Sequence, residues 1–460
     1  MTTRTRLPCV LALAALVAAL ALTVTVGGTL GDRTALYAWY ALDAALFALA
    51  LVLLRRVPAR QAAPLVLAGS VLVAAVGLLA PPRTSDDAYR YVWDGRVQAA
   101  GISPYVHAPD DPALAGLRDG DLFPVADGCR GWDERRTAAG DCTRINRPAV
   151  HTIYPPVAEA WFLAVHPFGG GVRGVQGAGA LLAVATTGVL LTAGRGSRRA
   201  ALWGWCPGIT VWAVNDAHVD TLGALLMVAG LGRVARRRPL SGGLLTGAAV
   251  AAKLLPALAL PGTLSGLLSG RPARRDFLLA GAAAGAFAVA YLPYLALSGT
   301  AVLGYLPGYL QEEGYGQEHL GRFGPVRLVL PDGWAPWAAG AVLAGVVLWV
   351  LRRGDPRRPW SGALLVTGTA LLLVAPAYPW YGLLVVALVA LDGRREWLAV
   401  PAAGQVLYLA GGETVQQAAY GAALLCVLTV ALWRRLRRRA VVRKRADASR
   451  AGGTAVPERA

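Results

Sequence analysis

The stretch PCVLALAALVAALALTVTVGGTL at residues 8–30 decides the fold class, because its 23 residues contain no Asp, Glu, Lys or Arg. A helix needs about 20 apolar residues to cross the hydrocarbon core of a bilayer. The run is longer than the apolar part of a signal peptide, and no Ala-x-Ala cleavage pattern lies directly before Gly31. We therefore predict an uncleaved first membrane span with its N-terminus inside.

Similar apolar blocks follow along the whole chain. Hydrophobic residues make up 55% of the sequence and charged residues 16%, whereas soluble proteins carry about 25% charge. Further spans are predicted at 36–54, 64–80, 172–193, 200–214, 217–235, 240–253, 254–268, 276–297, 335–352, 360–376, 380–391, 397–410 and 415–433. The sequence thus predicts an all-α polytopic membrane protein of about 13–14 transmembrane helices, with residues 1–433 as a single domain.

The net charge of +18 is explained by membrane topology rather than by nucleic-acid binding. Arginine clusters occupy short loops between the apolar blocks, where the positive-inside rule places cytoplasmic charge. Eight basic residues lie between Arg434 and Arg445, directly after the last block. We predict a multi-pass protein of the plasma membrane with both termini in the cytoplasm. Residues 434–460 are predicted to form a disordered basic tail in contact with anionic lipid.

The longest hydrophilic stretch, residues 81–152, holds eleven acidic and nine basic residues. Alternation of the spans places it on the extracytoplasmic side, where we expect it to form interfacial helices and to carry the polar chemistry. It also contains Cys129 and Cys142, which are candidates for a disulfide in an oxidising compartment.

The densest polar run begins just after the third predicted span. Ser85 is a candidate helix N-cap, with Asp86 and Asp87 in the first turn. Two interpretations of the acidic pair stay open: it complements the helix dipole, or it supplies a general base at the membrane surface. Asp94 lies two helical turns further on, about 10 Å away, which is too far for a proton shared with Asp87.

The run DDAYRYVWDGRVQAAGISPY at residues 86–105 resembles the first outer loop of bacterial GT-C glycosyltransferases, and most of all that of polyprenyl-phosphate-mannose-dependent mannosyltransferases. Four further segments also fit this family. They are Ile145–Pro148 with Thr152–Pro156, Asn215–His218, Lys253–Pro256, and Tyr378–Tyr381.

The resemblance implies an inverting single displacement on the extracytoplasmic side. An acceptor hydroxyl attacks the sugar of a polyprenyl-phosphate donor, and an acidic residue of the first outer loop acts as base. That role carries over onto Asp86 or Asp87, with a slight preference for Asp87. The resemblance implies mannose as the sugar and a cell-envelope lipoglycan or glycolipid as the acceptor. It implies no metal or other cofactor, and the triplet Asp119-Gly120-Asp121 is better explained as a turn.

A leaving phosphate requires cations near the outer surface of the membrane. Lys253 is the leading candidate, because it lies between two short apolar pieces and the chain contains just one other lysine, Lys444. A structural, ion-paired lysine is the alternative. Further candidates for the phosphate site are Arg90, Arg96, Arg144 and Arg147.

Polar and aromatic residues at the outer ends of the spans are candidates for binding the acceptor or the sugar. These are Asp94, Tyr154, Asp216, His218, Tyr378, Trp380 and Tyr381. For the aromatic residues an interfacial belt is the alternative, and for Asp216 and His218 a water-facing helix start.

Two other functions stay open: a transporter or flippase of a lipid-linked sugar, and a GT-C enzyme that uses another sugar donor. A transporter would show internal repeats and charges along a path through the spans, and the sequence shows no such repeat. One loop carries most of the titratable residues instead, which favours an enzyme.

Overall fold

The computed structural model describes residues 2–125, 128–193, 196–312 and 321–451. Within these ranges the chain is all-α, apart from two strands of two residues each, β1 (Arg135–Arg136) and β2 (Cys142–Thr143). The predicted fold class, an all-α polytopic membrane protein, is therefore confirmed.

The helices follow one another in chain order. The first group is α1 (Thr2–Val26), α2 (Thr34–Leu54), α3 (Ala59–Val76), α4 (Asp87–Ala99), α5 (Pro156–Val165), α6 (Val172–Ala193), α7 (Ser197–Gly204), α8 (Asp220–Ala235) and α9 (Pro239–Ala252). The second group is α10 (Leu260–Thr263), α11 (Arg274–Ser298), α12 (Leu306–Glu312), α13 (Gly324–Arg327), α14 (Ala335–Arg353), α15 (Pro359–Val374), α16 (Gly382–Asp392), α17 (Ala399–Ala410) and α18 (Glu413–Ala451).

Seven of the described helices are long and apolar enough to cross a membrane, namely α1, α2, α3, α6, α11, α14 and α18. The π-helical turn Ile209–Asn215 and α8 form a further candidate span that is bent by 108°. The other predicted spans correspond to shorter apolar helices such as α9, α15 and α16. The total of 13–14 spans therefore stays a prediction.

The bent span and the short helices bring polar residues into the helical bundle. Ala217, at the bend, has a φ of 55°, and the backbone between the π-helical turn and α8 reverses there. α9 ends at Ala252 and is followed by the extended residue Lys253. Breaks of this kind are tolerated at membrane depth when they are buried in protein or line a cavity.

The outer loop 81–152 contains α4 and the two-stranded hairpin, and it leads into α5. Cys129 and Cys142 form a disulfide, as predicted. α4 packs against α5, and Tyr91 of α4 stacks on Phe162 of α5 with ring centroids 4.4 Å apart. This contact attaches the loop to the helical bundle.

The basic tail differs from its prediction. Residues 434–451, expected to be disordered, continue α18 as a helix to Ala451, while 452–460 lie outside the described residues. Arginine, lysine and alanine are good helix formers, which explains why the helix continues past the last apolar residue. Arg434 also pairs with Glu396 at 2.7 Å and ties this end of α18 to the bundle.

Candidate active site

A cavity of about 880 Å³ lies between the outer loop and the ends of several helices. Its charged and amide residues are Asp86, Asp87, Arg135, Asn146, Arg147, Lys253 and Arg322. Its aromatic residues are Trp132, Tyr154, Tyr309, Tyr378, Trp380, Tyr381 and Tyr408. The remaining wall is largely aliphatic and includes Leu254, Leu255, Leu258, Leu343, Leu371 and Val374.

The aliphatic wall extends into the membrane-spanning part of the protein. Leu343 lies near the middle of α14, about 12 Å along the helix from Ala335. Leu254, which follows α9, also lines the cavity and is 39% exposed. The cavity is therefore amphipathic, with charged groups at the outer loop and an apolar end at the depth of the bilayer.

The acidic pair stands at the start of α4 and faces this cavity. Within the described chain, the Asp86 side chain makes no capping hydrogen bond, while Ser85 Oγ accepts one from the Asp87 N–H at 3.3 Å. Asn146 Nδ2 donates to both carboxylates, at 3.1 Å to Asp86 and 2.6 Å to Asp87. The N-cap is therefore Asp86 and not Ser85 as predicted, whereas the interaction of the acidic pair with the helix dipole stays an alternative interpretation.

The two carboxylates have different charged neighbours. Asp86 forms an ion pair with Arg135, whereas Asp87 Oδ2 lies 3.3 Å from His218 Nδ1. Burial raises the pKa of Asp87, but the contact with His218 and the charges of Lys253 and Arg147 outweigh it and lower the pKa to about 2. Burial raises the pKa of Asp86 above its ordinary value despite Arg135.

Lys253 lies at the C-terminal end of α9, where the helix dipole favours a cation. Its Nζ is 3.1 Å from Asp220 Oδ2, at the first turn of α8. The same ammonium group lies 5.3 Å from the ring centroid of Tyr154 and 5.6 Å from that of Tyr381. The predicted structural partner is thus present, and Lys253 also lines the cavity.

The aromatic residues of the Tyr378–Tyr381 segment pack around His218. The imidazole of His218 stacks on Trp380 with centroids 3.8 Å apart, and Trp380 stacks on Tyr378 at 4.8 Å. His218 is buried behind Asp87, so it contacts the acidic pair rather than lining the cavity itself. The bent span and the Tyr378–Tyr381 segment thereby hold the His218 imidazole against Asp87.

Two aromatic cavity residues on helices, Tyr309 on α12 and Tyr408 on α17, were missed by the sequence analysis as site residues. Four loop residues were missed as well: Trp132, Arg135, Asn146 and Arg322. Asn146 lies in one of the segments that carry the family resemblance, so the resemblance could have identified it as a site residue. The other three lie in polar loops without any local pattern that distinguishes them from solvent-exposed residues. Arg322 is only 5% exposed, and such burial cannot be seen from a loop sequence.

Other predicted residues lie outside the cavity. Arg90 is buried against Asp94 at 3.0 Å, so both residues of that pair serve the packing of α4. Arg96 pairs with Asp119 at 2.5 Å. Arg144 lies 3.4 Å from Asp133.

Two further predictions concern Asp119 and Asp216. Asp119 Oδ1 accepts hydrogen bonds from the N–H groups of Asp121 and Leu122, so the triplet forms a turn, as predicted. Asp216 is also outside the cavity, because it is buried and accepts hydrogen bonds from the Arg83 and Thr84 N–H groups. No group of three or more His, Cys, Asp or Glu residues in the described ranges could hold a metal ion.

Comparison with known families gives one match. Residues 152–376 match the model of glycosyltransferase family 87, a region just short of half the chain. No curated protein and no solved structure matches the chain.

The matched region contains Tyr154, His218, Lys253 and Arg322, and it ends before Tyr378. It begins after the acidic pair, so it covers one wall of the cavity and leaves Asp86 and Asp87 outside. Together with the all-α membrane fold, this similarity supports a membrane glycosyltransferase of the GT-C type.

Proposed function

We propose that the protein transfers a sugar from a polyprenyl-phosphate donor to a glycolipid or lipoglycan of the cell envelope, on the extracytoplasmic face of the plasma membrane. The amphipathic cavity carries this proposal, because charged groups and a bilayer-deep aliphatic wall form one continuous space. A donor with a charged headgroup and a long hydrocarbon chain requires this combination. The sugar is proposed to be mannose on the resemblance of residues 86–105 alone.

In the proposed reaction the acceptor hydroxyl oxygen bonds to the anomeric carbon as the bond from that carbon to the phosphate oxygen breaks. The phosphate leaves with the bonding electron pair, next to Lys253 and Arg147. The hydroxyl proton passes to Asp87. We assign the base to Asp87 rather than Asp86, because the charges of Lys253 and Arg147, the proposed phosphate ligands, act on Asp87, whereas Asp86 pairs with Arg135.

The low pKa of Asp87 keeps it ionised and ready to accept a proton, although it also makes Asp87 a weak base in the free protein. The anionic phosphate of a bound donor would offset part of the positive charge of Lys253 and Arg147. That charge is part of what lowers the Asp87 pKa, so donor binding would strengthen the base.

The test uses the full chain in lipid nanodiscs with labelled polyprenyl-phosphate mannose and a crude pool of envelope lipids. We expect release of polyprenyl phosphate together with labelled glycolipid. Asp87→Asn should reduce the rate by about 10²–10⁴-fold, and Asp86→Asn by less. Asp121→Asn, an exposed carboxylate of the same loop, is the matched control and should keep the native rate.

Native rates in both Asp86→Asn and Asp87→Asn would remove the base from the acidic pair. Turnover with a glucose or arabinose donor but not with the mannose donor would correct the sugar. Absence of release with every polyprenyl-phosphate sugar would overturn the transferase. Movement of the intact lipid-linked sugar across the bilayer would then identify a flippase.

A further inference from the structure

The outer loop contains a disulfide-closed hairpin arm, defined here as residues 129–143. The disulfide joins Cys129 to Cys142, and β1 pairs antiparallel with β2 inside the closed loop. The arm occupies the rim of the cavity, and it contributes two residues to the cavity lining, Trp132 and Arg135.

The arm is held firmly in place by contacts to its neighbours. Tyr89, on α4, donates a hydrogen bond to Asp133 at 2.9 Å. Trp132 packs so closely on Gly31, in the turn between α1 and α2, that a side chain at position 31 would meet its Cβ at 2.8 Å. A rim fixed at both points presents its side chains to the cavity in a constant position.

The polar groups at this rim form a row of hydrogen-bonding partners. Arg135 pairs with Asp86, and Asp86 Oδ1 accepts from Asn146 at 3.1 Å. A guanidinium group donates, a carboxylate accepts, and an amide does both. Trp132 lines the same cavity and offers its indole as an apolar surface.

This arrangement suits a neutral sugar better than a phosphate. A sugar ring has hydroxyl groups that donate and accept, and a face of C–H groups that packs on an aromatic ring. The charges of Arg135 and Asp86 cancel, so the pair does not favour an anion, whereas the charges of Lys253 and Arg147 act on Asp87. Pockets of this composition bind through apolar contact and use a few polar groups for orientation.

We propose that Trp132, Arg135 and Asp86 form the binding subsite for the sugar of the acceptor, which is therefore a glycoconjugate with neighbouring free hydroxyl groups. This subsite rests on the proposed function, because the sugar bound here is taken to be the acceptor of the proposed transfer. Asp86 is a ligand of the acceptor sugar, and Asp87 takes the proton. These two roles explain why two adjacent carboxylates face one cavity with different cationic partners.

The experiment measures binding and turnover separately, with octyl α-mannoside as the probe acceptor and the full chain in nanodiscs. Binding is followed by saturation-transfer NMR, with an octyl oligoethylene glycol of the same chain length as the sugar-free control. Turnover with polyprenyl-phosphate mannose gives the KM of the donor, the KM of the probe and the acceptor-independent hydrolysis of the donor. The variants are Trp132→Ala, Trp132→Phe, Arg135→Gln and Asp86→Asn.

We expect Trp132→Ala and Arg135→Gln each to weaken probe binding and to raise its KM about tenfold, as the loss of one good contact predicts. Donor KM and donor hydrolysis should stay within twofold, and Trp132→Phe should restore most of the binding. Arg136→Gln is the matched control for Arg135, because Arg136 is its exposed neighbour in the same strand. Trp337→Ala, an exposed residue of α14, is the control for Trp132.

Native probe binding in Trp132→Ala and Arg135→Gln would overturn the subsite, and so would a rise in donor KM instead of probe KM. Failure of the native chain to bind the probe up to its solubility limit would do the same. Loss of probe binding in the variants, with no transfer by the native chain from any donor, would leave the sugar subsite standing and remove the transferase.

Discussion

Asp86 and Asp87 are neighbours in sequence, but their carboxyl groups have different charged neighbours. Asp86 faces a single guanidinium group on the hairpin arm, whereas Asp87 faces His218 and two further cations across the cavity. Environments that push two carboxyl pKa values apart commonly separate two roles at one site. Here the pKa of Asp87 is lowered and that of Asp86 is raised.

The contact between His218 and Asp87 gives a prediction about pH. In His218→Asn the main group that lowers the Asp87 pKa is lost, while burial continues to raise it. The Asp87 pKa should then rise from about 2 by about one unit or more, so that protonation stops catalysis at a higher pH. The acid limb of kcat/KM should shift upward accordingly, because that limb reports groups of the free enzyme.

His107→Asn is the matched control, since His107 pairs with Asp111 on the outer loop and does not line the cavity. An unchanged acid limb in His218→Asn would contradict the role of Asp87 as the base.

The free energy of unfolding should depend on the ionisation of the same residue. Ionised Asp87 stabilises the fold above its ordinary pKa of 3.8, and that contribution is lost as the pH falls toward about 2.

Lys253 gives a prediction about donor binding. Lys253→Met keeps the length of the side chain and removes the charge, so the KM for the donor should rise about tenfold or more. The single variant also leaves Asp220 buried without its cation, which destabilises the fold on its own account. The double variant Lys253→Met/Asp220→Asn removes both charges, and its donor KM should remain high while its thermal stability recovers.

The comparison with Lys253→Arg separates charge from structure. Arg keeps the cation, and the donor KM of this variant should lie between the native and the Met values. A native donor KM in the double variant would show that the lysine serves the bundle alone. Donor KM is measured from the release of labelled polyprenyl phosphate.

Single residues could be predicted from the sequence where an unusual residue type stood in an apolar setting. Lys253 was found in this way, and the acidic pair was found from the densest polar run; all three residues line the cavity. Arg90 and Asp94 looked equally exceptional, but they pair with each other inside the outer loop. The sequence cannot distinguish a buried pair from two groups that face a ligand. Two residues four positions apart on a helix lie on the same face, so they can either pair with each other or both contact a ligand.

At the level of elements, hydropathy located the helices well but not their lengths or breaks. The segment predicted as a span at 200–214 is divided between α7 and a π-helical turn, and the chain then bends before α8. Apolar composition is the same on both sides of such a break. The bend depends on the backbone at Ala217 and on the hydrogen bonds of Asp216, which are tertiary features.

Close packing between α9 and α11 gives a prediction at this scale. A Cβ at Gly247 would lie 2.1 Å from the Ala283 carbonyl oxygen, so the two backbones touch through glycine, as in other small-residue helix interfaces. Gly247→Val should push the helices apart and cost about 1–3 kcal/mol. Because Lys253 follows the end of α9, donor KM should also rise.

The matched control is Gly281→Val on α11, where an added Cβ meets nothing within 4 Å. Thermal unfolding in detergent should show a lower Tm for Gly247→Val and a near-native Tm for Gly281→Val. Equal Tm values for the two variants would contradict the close packing of α9 on α11.

At the scale of the whole molecule, the candidate site brings together segments that lie far apart in the chain. Asp87 comes from α4, His218 from the bent span, and Trp380 from the loop before α16. The arginine clusters predict which ends of these elements face outward, and this orientation stays a prediction. Their lateral order in the bundle could not be predicted, because every span presents a similar apolar surface to its neighbours.

Topology gives the last prediction, since catalysis by a lipid-linked donor on the outer face requires the loop 81–152 to be extracytoplasmic. The arginine clusters imply this orientation through the positive-inside rule. We expect Ala115→Cys, exposed in the outer loop, to react with a membrane-impermeant maleimide in intact cells. Ser269→Cys, exposed beside the cluster Arg271–Arg275, should react only after permeabilisation. The parent chain gives the background labelling, because Cys9 and Cys206 are buried and Cys426 lies in the apolar part of α18. The reverse labelling pattern would place the cavity in the cytoplasm, where the donor would have to present its sugar on the inner leaflet.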